Sequence, residues 1–132
     1  MNTITNKFLF HPALKLAIEE AKKSEHQFRV GAVIFKGKRI ISSAYNSTRS
    51  NQVPYQFKGW LEALHAECHA IIKAKKNLKG YSIIVVRLNK KNELTMAKPC
   101  NFCQDFIDYV GIKEIYWSNY NGELETNKGD KK

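Results

Sequence analysis

The stretch "YSIIVVRL", residues 81–88, is a nearly continuous apolar run. Such a run without polar alternation is typical of a central β-strand that other layers cover on both faces. Segments with helical spacing precede and follow it along the chain. The stretch therefore predicts an α/β fold whose sheet is packed between helices.

The flanking segments supply the other elements of this fold. Helical periodicity predicts helix 1 over 11–24, helix 2 over 61–77 and helix 3 over 100–110. β-Branched runs predict a hairpin over 28–46, which turns at Lys36-Gly37-Lys38, and a further strand over 112–118. Asn121-Gly122 then indicates an antiparallel turn into a short fifth strand. This order predicts a three-layer α/β/α fold with a mixed five-stranded sheet, and right-handed crossovers through helices 2 and 3. We expect one domain over residues 1–127 and a disordered basic tail over 128–132.

Composition limits the classes of protein that this chain resembles. Its 132 residues suit one globular domain, and its mean hydropathy is −0.45. No run approaches the ~20 apolar residues of a membrane span, and the first residues do not read as a secretory signal. We therefore expect a cytoplasmic protein without a membrane partner. The net charge of +10 favours an anionic partner, although a solvated lysine-rich face gives the same count.

Two short motifs carry the residues best suited to chemistry. His65-Ala66-Glu67 opens helix 2, and Pro99-Cys100-Asn101-Phe102-Cys103 opens helix 3. In a crossover arrangement both helices begin at one edge of the sheet, so His65, Cys100 and Cys103 are expected to converge. Three such ligands suit a tetrahedral Zn²⁺ with a fourth position for water, and Glu67 is placed to move the proton of that water.

Three other interpretations of these residues stay open. His69 follows His65 by one helical turn, so a closed structural zinc site with His65, His69, Cys100 and Cys103 fits the spacing. Cys100 and Cys103 also have the spacing of a redox pair, but the thioredoxin-like context is missing. The third interpretation is a metal-free core in which these polar residues coincide by chance. Whichever interpretation holds, we expect Cys68 to be a small buried apolar residue.

Together the two motifs resemble the zinc-dependent cytidine deaminase superfamily, over residues 10–120. The resemblance implies that His65, Cys100 and Cys103 hold Zn²⁺ while water attacks C4 of cytosine. It also implies that Glu67 protonates N3 and then the departing amine.

The resemblance extends to the substrate contacts. It implies that the Ala66 backbone helps to hold the base, that Asn46 at the end of strand 2 contacts the sugar, and that members often form homo-oligomers. The segment "VGAVI", residues 30–34, is similar as well, and we expect its Gly31 to allow a close approach beneath the pocket.

The substrate is less well defined by the sequence. Arg29 and Arg49 are candidates to hold a phosphate, and Trp117 is a candidate to stack on a base, as are the aromatic residues of the loop after strand 2 (Tyr55, Phe57 and Trp60). A histidine ligand resembles the deoxycytidylate, tRNA-adenosine and polynucleotide-cytidine branches, whereas the terminal hairpin resembles the free-nucleoside branch. Adenine fits less well, because "QDFI" after Cys103 lacks the pattern of tRNA adenosine enzymes.

Three functions follow in order of preference. The first is deamination of cytosine in a free nucleoside or nucleotide, such as cytidine, deoxycytidine or dCMP. The second is deamination within single-stranded DNA or RNA. The third is a non-catalytic zinc-binding module that interacts with nucleic acid.

Overall fold

A computed structural model describes residues 3–25, 29–46 and 65–127 of the chain. Its elements, in chain order, are α1 Thr3–Phe8, α2 Pro12–Lys23, β1 Arg29–Lys36, β2 Arg39–Tyr45, α3 Ala66–Ala74, β3 Ser82–Leu88, β4 Leu94–Thr95, α4 Asn101–Tyr109, β5 Glu114–Ser118 and β6 Leu124–Thr126. The expected tail at 128–132 lies outside the described residues.

The strands form one mixed sheet in the order β2-β1-β3-β5-β6. β1 is antiparallel to both β2 and β3, β3 is parallel to β5, and β6 returns antiparallel beside β5 as the Asn-Gly turn predicts. β4 is a sixth strand, so the predicted count of five was one too low. It pairs with the last two residues of β3 and is itself two residues long, too short to leave a periodic pattern in the sequence.

Side chains of β3 alternate between two separate apolar cores, which confirms the three-layer prediction. Ile83 and Val85 pack with α3 and α4 on one face. Ile84 and Val86 pack with α1 and α2 on the other. All four side chains are fully buried, as the apolar run predicted for a central strand.

The helices differ from their predicted bounds mainly at their ends. α2 matches helix 1 closely: Pro12 occupies its first turn, and Nδ1 of His11 accepts a hydrogen bond from the Ala13 amide at 3.0 Å. α3 ends at Ala74, three residues before the predicted end, because Lys75 adopts a left-handed conformation with φ of 51°. α1 was not predicted from the sequence. None of the described helices has the length and apolar character that crossing a bilayer needs.

Gly31 allows a close backbone contact on the face of the sheet opposite to the one that the sequence predicted. A Cβ at this position would lie 2.0 Å from the carbonyl oxygen of Ala17 and 2.7 Å from the amide of Ala21, both in the backbone of α2. The glycine therefore seats α2 on β1. The expectation that it serves the pocket is corrected, because the pocket described below lies on the α3 and α4 face.

Replacing Gly31 with alanine should lower the free energy of unfolding by about 3 kcal/mol, since a helix backbone cannot yield to the new methyl group. Gly37→Ala is the matched control. A Cβ there meets nothing within 4 Å, and its φ of +61° costs only about 1 kcal/mol. Urea unfolding followed by circular dichroism measures both variants. Equal losses would show that the contact with α2 is not what requires glycine.

The turns β3–β4 and β5–β6 share one local structure. Each begins with an asparagine, in "NKKNEL" (residues 89–94) and "NYNGEL" (residues 119–124). Oδ1 of Asn119 accepts from the amides of Asn121 and Glu123, both at 2.9 Å. Asn89 makes the equivalent pair of bonds at 2.8 and 3.0 Å. A residue with positive φ precedes the glutamate in both turns.

Asn119→Ala should destabilise the protein by about 1–3 kcal/mol, because two backbone donors lose a side-chain acceptor that is itself buried. Asn121→Ala in the same turn should change stability by less than about 0.5 kcal/mol, because that side chain is exposed. Thermal and urea unfolding compare the two variants. A cost at position 121 matching that at 119 would contradict the assigned role of Asn119.

Candidate active site

Two helices begin at the same edge of the sheet and place their first residues side by side. β2 and β3 run in the same direction, because both are antiparallel to β1. α3 follows β2, and α4 follows β3 after the two-residue strand β4, which pairs with the end of β3, so both helices begin at that edge. His65 is the N-cap residue of α3, and Cys100 is the N-cap residue of α4. Cys103 lies in the first turn of α4.

The nitrogen and the two sulfurs of these residues converge on one point. Nδ1 of His65 lies 3.0 Å from Sγ of Cys103 and 4.0 Å from Sγ of Cys100. Among the described residues, these three form the group with metal-binding character, with ligand atoms within 4.8 Å of one another. A tetrahedral zinc holds such atoms roughly 3.5–3.8 Å apart. The donor set and its spacing fit Zn²⁺.

The two cysteines have opposite proton affinities. Hydrogen bonds from Cys103 and His65 lower the pKa of the Cys100 thiol to about 4. The pKa of Cys103 is raised, because it shares hydrogen bonds with Cys100 and Cys68 and is buried. The hydrogen bond to Cys100 raises the pKa of His65 as well. The low pKa favours the thiolate form of Cys100, which is the form that binds a cation.

Glu67 lies beside this group in the first turn of α3. Its side chain is 5% exposed. Burial raises the pKa of the carboxyl, and this outweighs the opposing effects of a backbone hydrogen bond and of nearby His65. A carboxyl group whose neutral form is favoured in this way is suited to accept and return a proton.

His69 and Cys68 are also of residue types that bind metals, but both lie outside the convergent group. Nδ1 of His69 lies 3.4 Å from the carbonyl oxygen of Tyr45, and His69 is not part of the convergent group. The closed four-ligand site is therefore not what the described residues form. Sγ of Cys68 lies 4.0 Å from that of Cys103, in the buried core under α3. It packs there as the sequence predicted.

A cavity of about 250 Å³ opens in front of the two helix ends. His65, Ala66, Glu67 and Cys100 line it together with Asn46. Two bonds to Val30 fix Asn46: its amide donates to the Val30 carbonyl at 3.1 Å, and its Oδ1 accepts from the Val30 amide at 3.0 Å. Of the substrate-binding candidates, Asn46 and Ala66 thus line the cavity.

The other substrate-binding candidates lie away from the cavity or outside the described residues. The guanidinium of Arg29 donates to the Asn89 carbonyl, and to Oδ1 of Asn92 at 2.7 Å, in the β3–β4 turn. Trp117 is buried and packs beneath Lys98. Neither residue is among those that line the cavity. Arg49 and the loop aromatics Tyr55, Phe57 and Trp60 fall in the segment that the structure does not describe.

Two cationic residues of the cavity wall were missed by sequence reasoning. Arg87 lies near the end of β3, and Lys98 lies two residues before Cys100. A signal for Arg87 was present, since it is the charged residue that interrupts the apolar run at 81–88. Lys98 had no comparable signal, because it follows a lysine-rich turn and resembles the other surface lysines.

Comparison with protein families agrees with this geometry. The family model for the cytidine and deoxycytidylate deaminase zinc-binding region matches residues 9–119, which include every ligand and the whole cavity lining described above. The chain belongs to this deaminase family. Zinc is accordingly the metal of this family, and His65, Cys100 and Cys103 are the described residues that could hold it.

Relatives of this deaminase-family chain include proteins of known structure. A curated relative from Aliivibrio fischeri, described as an uncharacterized deaminase in the luxG 3′ region, is 30% identical over 113 residues, 78% of this chain and 67% of the relative. Cytidine deaminase from Burkholderia pseudomallei is similar in fold, with a TM-score of 0.65, 18% identity and coverage of 89% and 90% of the two chains. dCMP deaminase from cyanophage S-TIM5, crystallised with dCMP and dUMP, has a TM-score of 0.56, 20% identity and coverage of 91% and 85%.

Zinc content should depend on Cys103 and not on Cys68. Cys103→Ala should lose the metal, because it removes one of three protein ligands, whereas Cys68→Ala should keep one zinc per chain. The two residues are matched in type and burial and lie 4.0 Å apart. Elemental analysis after dialysis measures the stoichiometry. Equal zinc loss in both variants would show that the ligand set is wrong.

Proposed function

We propose that this protein is a zinc-dependent hydrolytic deaminase that converts cytosine to uracil in a free nucleoside or nucleotide. The observation that carries the proposal is the convergence of His65, Cys100 and Cys103 beside the buried carboxyl of Glu67, at the wall of a small cavity. Three protein ligands leave a tetrahedral ion one position for water.

The reaction consumes one water molecule and releases ammonia. When bound, zinc lowers the pKa of water toward neutrality and makes it a nucleophile. Glu67 takes a proton from the water as its oxygen bonds to C4 of the base, and donates it to N3. A second proton, moved by the same carboxyl, goes to the exocyclic amine as the C4–N4 bond breaks. Uracil and ammonia are the products.

The remaining residues of the cavity hold the substrate in place. The backbone of Ala66 lies at the N-terminus of α3, where unpaired amides favour an electron-rich group such as the O2 or N3 region of the base. Asn46 is held in place by its two bonds to Val30 and lines the same cavity, which suits a contact with a sugar hydroxyl. Two fixed anchors of this kind orient C4 toward the metal.

The solved relatives support a small substrate that carries cytosine. One relative is named a cytidine deaminase, and the other was crystallised with dCMP and dUMP, a cytosine nucleotide and its uracil counterpart. Their likeness to this chain lies in the fold. The substrate class is therefore inferred from the cavity and from what these proteins take.

A second candidate is deamination of cytosine within a single strand, which the net charge of +10 favours. Phosphate contacts along a strand release counterions, so binding of an oligonucleotide should weaken steeply as salt rises. A cytosine-containing oligonucleotide therefore belongs in the substrate panel, at low and high salt.

Glu67→Gln should reduce turnover at least about a thousandfold while zinc content stays unchanged, because the amide cannot carry the proton. Zinc-loaded protein is incubated with cytidine, deoxycytidine, CMP, dCMP and the oligonucleotide, and uracil products are separated by liquid chromatography. His69→Gln, outside the metal group, is the matched control on the same helix. The proposal is overturned if the wild type yields no uracil from any of these, or if Glu67→Gln is as active as the wild type.

A further inference from the structure

The edge of the sheet opposite the cavity carries a dense group of cations. β2, β3 and β5 begin at this edge and β1 ends there. The chain passes along it in residues 36–39, 75–81 and 110–114, which contain seven of the 22 lysine and arginine residues. We propose that this surface, the basic edge, binds a single strand of nucleic acid through its phosphates. The inference goes beyond the proposed function and does not rest on it, because the cavity takes no part in this binding.

Three cations of the basic edge surround Tyr81. Nζ of Lys36 lies 5.2 Å from the centre of the Tyr81 ring, and Nζ of Lys76 lies 5.3 Å from it. Arg39 is directly opposite Lys36 in the β1–β2 pair, so the two side chains lie on the same face of the sheet. A hydrogen bond with Lys76 lowers the pKa of the Tyr81 hydroxyl, and the charges of all three cations act in the same direction. The aromatic ring therefore keeps like charges close together before any anion binds.

The acidic residues near the basic edge have contacts of their own. Glu114 accepts from the hydroxyls of Ser82 at 3.2 Å and Tyr116 at 3.0 Å, and Tyr116 belongs to the core under α1 and α2. Tyr81 packs against the core on the other face, under α3 and α4. Asp108, in the last turn of α4, accepts from a glutamine of its own helix. The ion pair found within the described part of the chain lies on α2 and includes none of the cations around Tyr81.

The cations follow a line, which suits a chain of phosphates better than one small anion. Ser82 pairs with Glu114, so Lys113 neighbours Tyr81, and its amide donates to the Tyr81 carbonyl at 2.8 Å. In the strand order β2-β1-β3-β5, Arg39, Lys36, Tyr81 and Lys113 therefore stand at four successive positions. Neighbouring strands are about 4.8 Å apart, so this row is roughly 14 Å long. A nucleic-acid backbone offers repeated charges over such a length.

The polar character of the basic edge favours nucleic acid over a membrane. A surface that binds a membrane presents apolar side chains to the lipid. Here the aliphatic side chains of Leu78 and Ile112 are 2% and 1% exposed and pack into the core. Tyr109 ends α4 at the same edge and is 73% exposed. An exposed aromatic ring among cations is the combination that single-strand binding uses, because every base can stack on it.

The basic edge is too far from the cavity to be part of the substrate site. Tyr81 precedes Arg87, which lines the cavity, by six residues along the extended chain of β3. At about 3.3 Å per residue, the two positions are roughly 20 Å apart. A strand on the basic edge is therefore a partner and not a substrate. It would hold the protein on nucleic acid while the cavity stays open.

The test measures how tightly a fluorescent oligothymidylate of about 20 nucleotides binds, by anisotropy, between about 50 and 200 mM salt. The oligonucleotide contains no cytosine, so the proposed reaction does not interfere. The basic-edge variant combines Lys36→Gln, Arg39→Gln and Lys76→Gln. The matched control combines Lys7→Gln, Lys15→Gln and Lys22→Gln, which remove the same charge from exposed positions on α1 and α2. All six side chains are exposed, and thermal unfolding checks that both variants are folded.

The basic-edge variant should bind the oligonucleotide at least about tenfold more weakly than the wild type at 50 mM salt. The slope of log K against log salt should become shallower by about 2, since each lost phosphate contact removes about 0.7 from it. The control variant should change the affinity less than about threefold, because salt screens charges that do not touch the strand.

Equal losses in the two variants would show that net charge and not this surface binds the strand, which overturns the proposal. A wild type that does not bind at 50 mM salt overturns it as well. So does equally tight binding of phosphatidylserine vesicles or of a polyglutamate peptide of the same charge, since the surface would then not be specific for nucleic acid.

Separation from the cavity has its own readout. Saturating oligothymidylate should leave unchanged the KM of whichever cytosine compound the protein deaminates. A competitive rise in KM would place the strand in the cavity and overturn the separate surface. If no compound yields uracil, the proposed function fails, whereas the binding data still decide for or against the basic edge.

Discussion

The site depends on one constraint, that two helices must begin at the same edge of the sheet. Because β1 is antiparallel to both β2 and β3, the chain leaves β2 and β3 in the same direction and enters α3 and α4 side by side. His65 and Cys103 are 38 residues apart in sequence, yet their ligand atoms lie 3.0 Å apart. A change in the pairing of β1 would move one helix end to the other edge and separate the ligands.

The same constraint sets the electrostatics of the site. Each helix N-terminus presents unpaired amides and a partial positive charge, which favours a thiolate at the N-cap position of α4. Hydrogen bonds to Cys100 act in the same direction and lower its pKa, whereas burial raises the pKa of Glu67, which lines the same cavity. The two acidic groups thus have opposite protonation preferences, which is what the proposed division between metal binding and proton transfer requires.

The sequence was sufficient to predict a structure or a site wherever a short pattern of residues indicates how a segment packs or what it binds. The apolar run at 81–88 predicted a strand buried on both faces, Asn121-Gly122 predicted the last hairpin, and the spacing of His65, Cys100 and Cys103 predicted the metal group. It was insufficient where the role of a residue depends on the position of the charged group at the end of a long side chain. Arg29 and Arg87 both lie at strand ends, but Arg29 bonds to a turn and Arg87 reaches the cavity. Short elements such as β4, with two residues, also escape any periodic signal.

Net charge and site charge act on the substrate in different ways. Most lysines that produce the +10 total are exposed, where salt screens their attraction beyond about 8–10 Å. They attract every anion alike, whether a nucleotide or a strand. Arg87 differs from them, because it is only partly exposed and lines the cavity, where effective dielectric constants are lower and charge pairs are screened less. The exposed charge therefore raises the rate at which anions arrive and, at long range, does not distinguish one anion from another.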